Sequence, residues 1–345
     1  MARSADGLVW TAAGKTALAE EKGRVELVPR DTDVKKAVAA VVKKYGARWK
    51  KGAAKSDDAG KAAIKVAAAW KPATKATAEQ LAAMMSLAAS ADESLHGPII
   101  ELALRVHGFE LTMRMLVASW TLYASYNKNA TWLKTIGLDH DHVFDASACS
   151  GKADMTRYLQ AYYYAAPAAE RTALRKAAAA VWKDAHRPGK VALAVATCDP
   201  ERGAEIAREL LADDKPHAFF AWHDLPHVLT DAELVAETLA KRDESLSFRI
   251  VENLGTAAVP LFEERMAGIS KHTRARLLQM LANVRAKRVA QILAEYAEDE
   301  PYAETVRSYF ALHPDLLDAM LADPELRYYH PELLVVHRAL NPSAS

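Results

Sequence analysis

Three short segments near the C-terminus constrain the fold most: "AAVPLFEERM" (257–266), "KRVAQILAEYA" (287–297) and "HPDLLDAMLA" (313–322). Each gathers its apolar residues into one stripe at helical spacing. No one such helix can bury its stripe alone, so each must stack against its neighbours. Pro260 and Pro314 stand at helix starts, where the missing amide hydrogen costs nothing and the fixed φ helps. Helices are expected at 231–242, 257–267, 273–282, 286–297, 303–312 and 314–321, with connections of a few residues, so sequential neighbours run antiparallel.

The repeat is degenerate. Leu261–Phe262 aligns with Ile292–Leu293 at an offset of 31 residues, and the next step, to Leu316–Leu317, is 24. Upstream, alanine is abundant while glycine and proline number only 14 each, which favours helix throughout. Helices are expected from Asp31–Asp33 onward, through Trp70, from a cap at Thr77 with Gln80 three residues on, and at 155–164, 168–187 and 201–212. The stretch 98–126 reads as one buried helix broken by "NKNATW". The expected fold is all-α: an irregular HEAT-like α-solenoid of antiparallel helix pairs with a basic N-terminal helical lobe. The expected division is 1–76 for that lobe and 77–345 for the repeat region.

The net charge of +1 conceals a gradient. Residues 1–76 hold 17 Lys and Arg against 8 Asp and Glu, while residues 188–345 hold 17 against 25. A basic front and an acidic rear point to a polar partner or to contact between the two ends. Cys149 and Cys198 form neither a disulfide framework nor a zinc pattern, which fits a reducing compartment. Neither a signal peptide nor a membrane span is expected, since Glu101, Arg105, His107, Glu110 and Arg114 interrupt the most apolar candidate. A soluble cytoplasmic protein without a membrane partner is the expectation, its oligomeric state open.

Catalytic motifs are incomplete. "AAGKTA" resembles the end of a phosphate loop, but Val9 stands where that loop needs glycine. In "DHDHVFD" (139–145), Val143 fails the third calcium-ligand position, Phe144 replaces the glycine and Ser150 the bidentate glutamate. His140 and His142 are candidate zinc ligands if extended, beside the plainer reading of a polar loop. In "HAFFAWHDLPH" (217–227), His223, Asp224 and His227 invite a metal reading, but glutamate is missing and Pro226 forbids a regular helix. Nucleophile-elbow and dinucleotide fingerprints are absent. No cofactor is expected. The dispersed tryptophans Trp70, Trp120, Trp132, Trp182 and Trp222 are expected in the core.

The remaining functional signal is basic. Lys35, Lys36, Lys43, Lys44, Arg48, Lys50 and Lys51 lie in or just after one helix. At about 100° per residue, Lys36, Lys43 and Lys50 form a line, with Lys44 and Lys51 beside it. Val34, Val38, Val41, Val42 and Tyr45 take the opposite arc, and Trp49 joins them. The stripe is the candidate surface for nucleic acid or an acidic partner, set against the bland alternative of a solvated face.

The segments "LRKAAAAVWKD…GKVALAVATCDPERGAEIARELLA", "VENLGTAAVPLFEERM" and "YFALHPDLLDAMLADPEL" resemble the HEAT-like helical region of bacterial molybdate-metabolism-regulator-like proteins over about residues 98–326. Those proteins often carry a WGR module, whose Trp-Gly-Arg signature is absent here. The resemblance implies a scaffold and transfers no catalytic residue. The expected function is a non-catalytic helical-repeat scaffold for a macromolecular partner, a protein first. The alternatives are nucleic-acid binding through the basic helix and a metal-dependent hydrolase built on His140, His142, His223 and Asp224.

Overall fold

The chain is helical over nearly all of its described length, with one two-stranded antiparallel sheet. The computed structural model describes residues 7–23, 31–73, 75–89, 96–127, 130–135, 146–212, 224–240 and 246–341. It divides into two compact units, residues 22–228 and residues 1–21 with 229–345. The boundary expected at residue 76 lies inside the first of these, where helix Asp58–Ala68 packs on both Asp31–Gly52 and Ala78–Ala89.

In the unit 22–228, two helices are apolar on every side and form the centre. Helix Ala78–Ala89 buries Leu81, Ala82, Ala83, Met84, Met85, Leu87 and Ala88. Helix Arg187–Ala196 buries every residue from Val191 to Ala196. Helices without a polar face have to be enclosed, and these are. Thr77 caps the first as expected, its Oγ1 accepting from the Gln80 amide at 3.2 Å. The second begins where a continuous helix 168–187 was expected. Helix Ala168–Trp182 ends before it, and His186 caps the new one, its Nδ1 accepting from the Gly189 amide at 3.2 Å, with Pro188 in the first turn.

The helix expected across 98–126 is corrected by the structure. An α-helical turn His96–Glu101 passes into a π-helical segment, Leu102–His107. Gly108 then breaks the run at φ 88°, a backbone that only glycine adopts freely, and helix Phe109–Ser119 starts afresh. Strands Leu122–Asn127 and Ala130–Thr135 follow as a hairpin, with Leu122 opposite Thr135 and Asn127 opposite Ala130. Of "NKNATW", Asn127 closes the first strand and Ala130–Trp132 open the second. The second strand packs on helices Asp31–Gly52 and Asp58–Ala68.

The other unit is simpler. Helices Ala232–Ala240, Phe248–Leu254, Val259–Met266, Lys271–Leu281, Lys287–Ala294, Ala303–Leu312, Pro314–Ala322, Pro324–Tyr329 and Glu332–Leu340 follow one another. From Phe248 on, their packing partners are neighbours one to three helices away in the chain. Pro260, Pro314 and Pro324 stand in first turns. His313 before Pro314 and His330 before Pro331 both sit near φ −130°, ψ 60°, outside the α region that a following proline disfavours.

One long-range element joins this array. Residues 7–11 run antiparallel to 283–285: the Val9 amide donates to the Asn283 carbonyl at 2.9 Å and the Arg285 amide to the Gly7 carbonyl at 2.6 Å. The Asn283 side chain, fully buried, accepts from the Thr11 amide at 2.9 Å and the Thr11 hydroxyl at 3.0 Å. It donates to the carbonyls of Gln279 and Met280. Thr11 in turn caps helix Ala12–Lys22 by accepting from the Gly14 amide at 2.9 Å. Gly14 is glycine because a β-carbon there would sit 2.1 Å from the Asn283 amide oxygen.

Candidate functional site

The expected basic helix forms as a single element, Asp31–Gly52. Val34, Val38 and Trp49 are fully enclosed and Val41 nearly so, which fixes the helix by one face. Lys36, Lys43, Lys44, Lys50 and Lys51 are exposed on the other. Lys35 and Arg48 are half-buried, so the exposed stripe is narrower than expected from the sequence. Val42 and Tyr45, placed on the apolar arc, are also only half-buried. Lys36 lies 3.6 Å from Asp33, an exposed pair of little energetic weight. The Lys44 ammonium stands 5.0 Å from the Tyr45 ring centre. At 1.5 Å rise per residue, Lys36, Lys43 and Lys50 repeat about every 10 Å along the helix.

The basic field continues past this helix. His107, at the end of the π-helical segment packed on it, has its pKa lowered first by burial and then by Lys35 and Lys75. Its Nε2 is buried without a hydrogen-bond partner. The imidazole is therefore held neutral among cations, leaving the lysines to carry the positive charge.

The other sequence candidates fare differently. His140 and His142 lie outside the described residues, as does His223. Asp224 is described, and its carboxylate lies 3.3 Å from Arg157 and 3.8 Å from the His227 ring. Among the described residues, no group of three or more His, Cys, Asp or Glu converges as a metal site would require. Trp70, Trp120 and Trp182 are buried, as expected of core residues. The Trp182 indole donates to Glu205 at 3.1 Å, and Arg202 lies over its ring. The side chain of Trp132 and all of Trp222 lie outside the described residues.

A polar cluster in the same unit was not anticipated. Glu101 is almost wholly buried, lies 3.5 Å from Arg105 and accepts from the Tyr158 hydroxyl at 3.3 Å. One turn on, the Tyr162 hydroxyl donates to Glu170 at 2.7 Å. Burial, then the Glu101 charge, raises the Tyr158 pKa; burial and the bond to Glu170 raise that of Tyr162 to about 12. Both phenols thus stay protonated donors at neutral pH and stitch helix Ala146–Ala165 to its neighbours. The signal available in the sequence was the i, i+4 spacing of Glu101 with Arg105 and of Tyr158 with Tyr162.

No described helix is long and apolar enough to cross a membrane. Compared with known proteins, the chain matches no family, no curated protein and no solved structure.

Proposed function

We propose that the chain is a non-catalytic helical scaffold that docks an acidic protein partner on the lysine face of helix Asp31–Gly52. The observation that carries this reading is the pairing of five exposed lysines on one face with a fully enclosed valine and tryptophan face behind them. A helix so anchored presents its charges at fixed spacing, which steers and orients an oppositely charged surface. The sequential packing of helices 248–340 suits the HEAT-like reading, and such arrays present extended surfaces to partners. The likeness to the helical region of molybdate-metabolism-regulator-like proteins leads to the same expectation of a scaffold.

Crosslinking followed by mass spectrometry tests it. Lysine-reactive links from captured protein should map to Lys43, Lys44, Lys50 and Lys51, and the quadruple Lys→Glu variant should lose them while remaining folded. Capture of no partner, together with robust turnover of a small substrate, would remove the reading.

The seven-residue line of Lys36, Lys43 and Lys50 supports a second reading, binding to a nucleic-acid backbone. Duplex DNA and single-stranded RNA are the probes. On this reading, log Kd rises with log salt at about 0.9 per phosphate neutralised on duplex DNA. No affinity for either at low salt would exclude it.

A further inference from the structure

The second candidate surface belongs to the other unit, residues 1–21 with 229–345. A groove of about 440 Å³ lies between helices Ala303–Leu312 and Glu332–Leu340, floored by Ala297, Ala303, Val335, Val336 and Ala339. Helix Glu332–Leu340 turns Leu333 and Val336 inward yet leaves Val335 67% exposed. Of the six exposed large apolar side chains among the described residues, Leu312, Tyr328, Tyr329, Leu334 and Val335 all belong to residues 312–335. Of these five, Val335 lines the groove itself, and the other four are exposed along the same stretch of chain.

The charge around the groove selects its occupant. Glu298 lines it, and Asp299, Glu300 and Glu304 are exposed beside the lining residues Glu298 and Ala303. The lining itself holds Glu298 and Glu332, and helix Glu332–Leu340 carries an exposed Arg338 beside Ala339. Arg307 is the single arginine in the lining. Glu332 is held by His330 at 3.2 Å. An apolar trough walled by two helices accepts the apolar stripe of a third, as each helix of the array accepts its neighbour. An acidic rim favours an occupant whose polar face is cationic and repels anionic membrane surfaces.

We propose that this groove docks a cationic amphipathic helix from a protein partner. The surface is separate from the lysine face, so the inference stands or falls independently of that reading.

The probe is a fluorescein-labelled leucine–lysine peptide of about five helical turns, with leucines at i, i+3, i+4 and i+7. A leucine–glutamate peptide of the same pattern is the control. The full chain should bind the lysine peptide at least about tenfold more tightly than the glutamate peptide, which a hot spot of this kind readily supplies. Ala339→Trp, at an exposed position, fills the trough without touching the core and should abolish binding. The pair Glu298→Lys and Glu304→Lys should weaken it while circular dichroism stays unchanged. Equal binding of the two peptides, or Ala339→Trp binding as tightly as the parent, would overturn the proposal. So would a dimer in sedimentation that Ala339→Trp dissociates, because the occupant would then be a second copy.

Discussion

The two units bury comparable helices by different logic. In residues 248–340, the amphipathic helices cover their stripes with partners one to three helices away in the chain. In residues 22–228, the all-apolar helix Ala78–Ala89 packs on Asp58–Ala68 and Phe109–Ser119 as well as the hairpin, and Arg187–Ala196 packs on its neighbours Ala146–Ala165 and Pro200–Leu211 but also on the distant Phe109–Ser119. Helix Asp31–Gly52 there rests on strand Ala130–Thr135, some eighty residues on. Local closure spreads stability over short cooperative neighbourhoods, while nested closure makes the parts depend on one another.

Matched core truncations set the two modes against each other and carry the largest expected effects. Phe262→Ala in the array and Leu81→Ala in the nested unit each remove a side chain with no exposure. Costs of about 3–5 and 2–5 kcal/mol follow from lost transfer energy and the cavity left behind. Hydrogen exchange should separate them. Loss of protection in Phe262→Ala should centre on Phe248–Leu254, Val259–Met266 and Lys271–Leu281, fading toward Glu332–Leu340. In Leu81→Ala it should extend across Asp58–Ala68, Phe109–Ser119 and the hairpin together. Uniform loss across all helices 248–340 in Phe262→Ala would erase the contrast.

The clasp between residues 7–11 and 283–285 is the exception to local closure in the array. Asn283→Ala removes an acceptor shared by the Thr11 amide and hydroxyl. Destabilisation of about 1–3 kcal/mol is expected from the donors left unpaired, with helix Ala12–Lys22 exchanging much faster. Gly14→Ala should release the same segment by a different route, since its β-carbon meets the Asn283 side chain. Truncating Asn283 removes that clash. The double variant should therefore be less destabilised than the sum of the singles, and strict additivity in chemical unfolding would count against a shared contact.

This contrast also explains which elements were readable from the sequence. Helix 303–312 was placed to the residue, and the helices expected from 257, 273 and 286 within two residues of their observed starts. Their stripes, prolines and caps are all local signals. The hairpin was read as the end of a helix because apolar Leu122 and the aromatic residues after it suit either state. Only pairing with a second strand and packing on helices from the chain's first third decide it. The clasp was invisible for the same reason: Thr11 and Asn283 are 272 residues apart. For the candidate sites, helical periodicity found the lysine face and placed Trp49 correctly. It could not tell that Lys35 and Arg48 would be covered, nor bring Glu101 and Tyr158 together.

Acidification should weaken both units by one mechanism. His313 in the array is 1% exposed and His107 is half-buried; burial lowers the pKa of each from 6.5, with nearby cations adding to it. A histidine held neutral in the fold contributes stability that is full above its unfolded pKa. That contribution is lost as pH falls below about 6.5 toward the depressed folded value, because the unfolded chain then binds the proton more readily. Thermal unfolding should therefore shift downward between pH 7.5 and 5.5. His313→Gln should flatten that dependence in the array and His107→Gln in the nested unit. An unchanged slope in either variant would show that its imidazole does not set the response.

The finest test separates a charge's effect on stability from its effect on titration. Asp315 pairs with Arg285 at 2.5 Å, but both side chains are about half exposed, so the pair itself is worth about 0–1 kcal/mol. The same two charges act oppositely on His313, Arg285 lowering its pKa and Asp315 raising it. Asp315→Asn leaves the arginine's field unopposed, which widens the gap between the folded and unfolded histidine. Stability at pH 7.5 should change by no more than about 0.5 kcal/mol, the usual range for a surface substitution. Between pH 7 and 5.5 the variant should lose more stability than the parent, and placing Gln at position 313 in the same background should cancel the excess. A large loss already present at pH 7.5 would instead assign the ion pair a structural role in holding helix Pro314–Ala322. The array would then depend on specific polar contacts between helices, and not on apolar stripes alone.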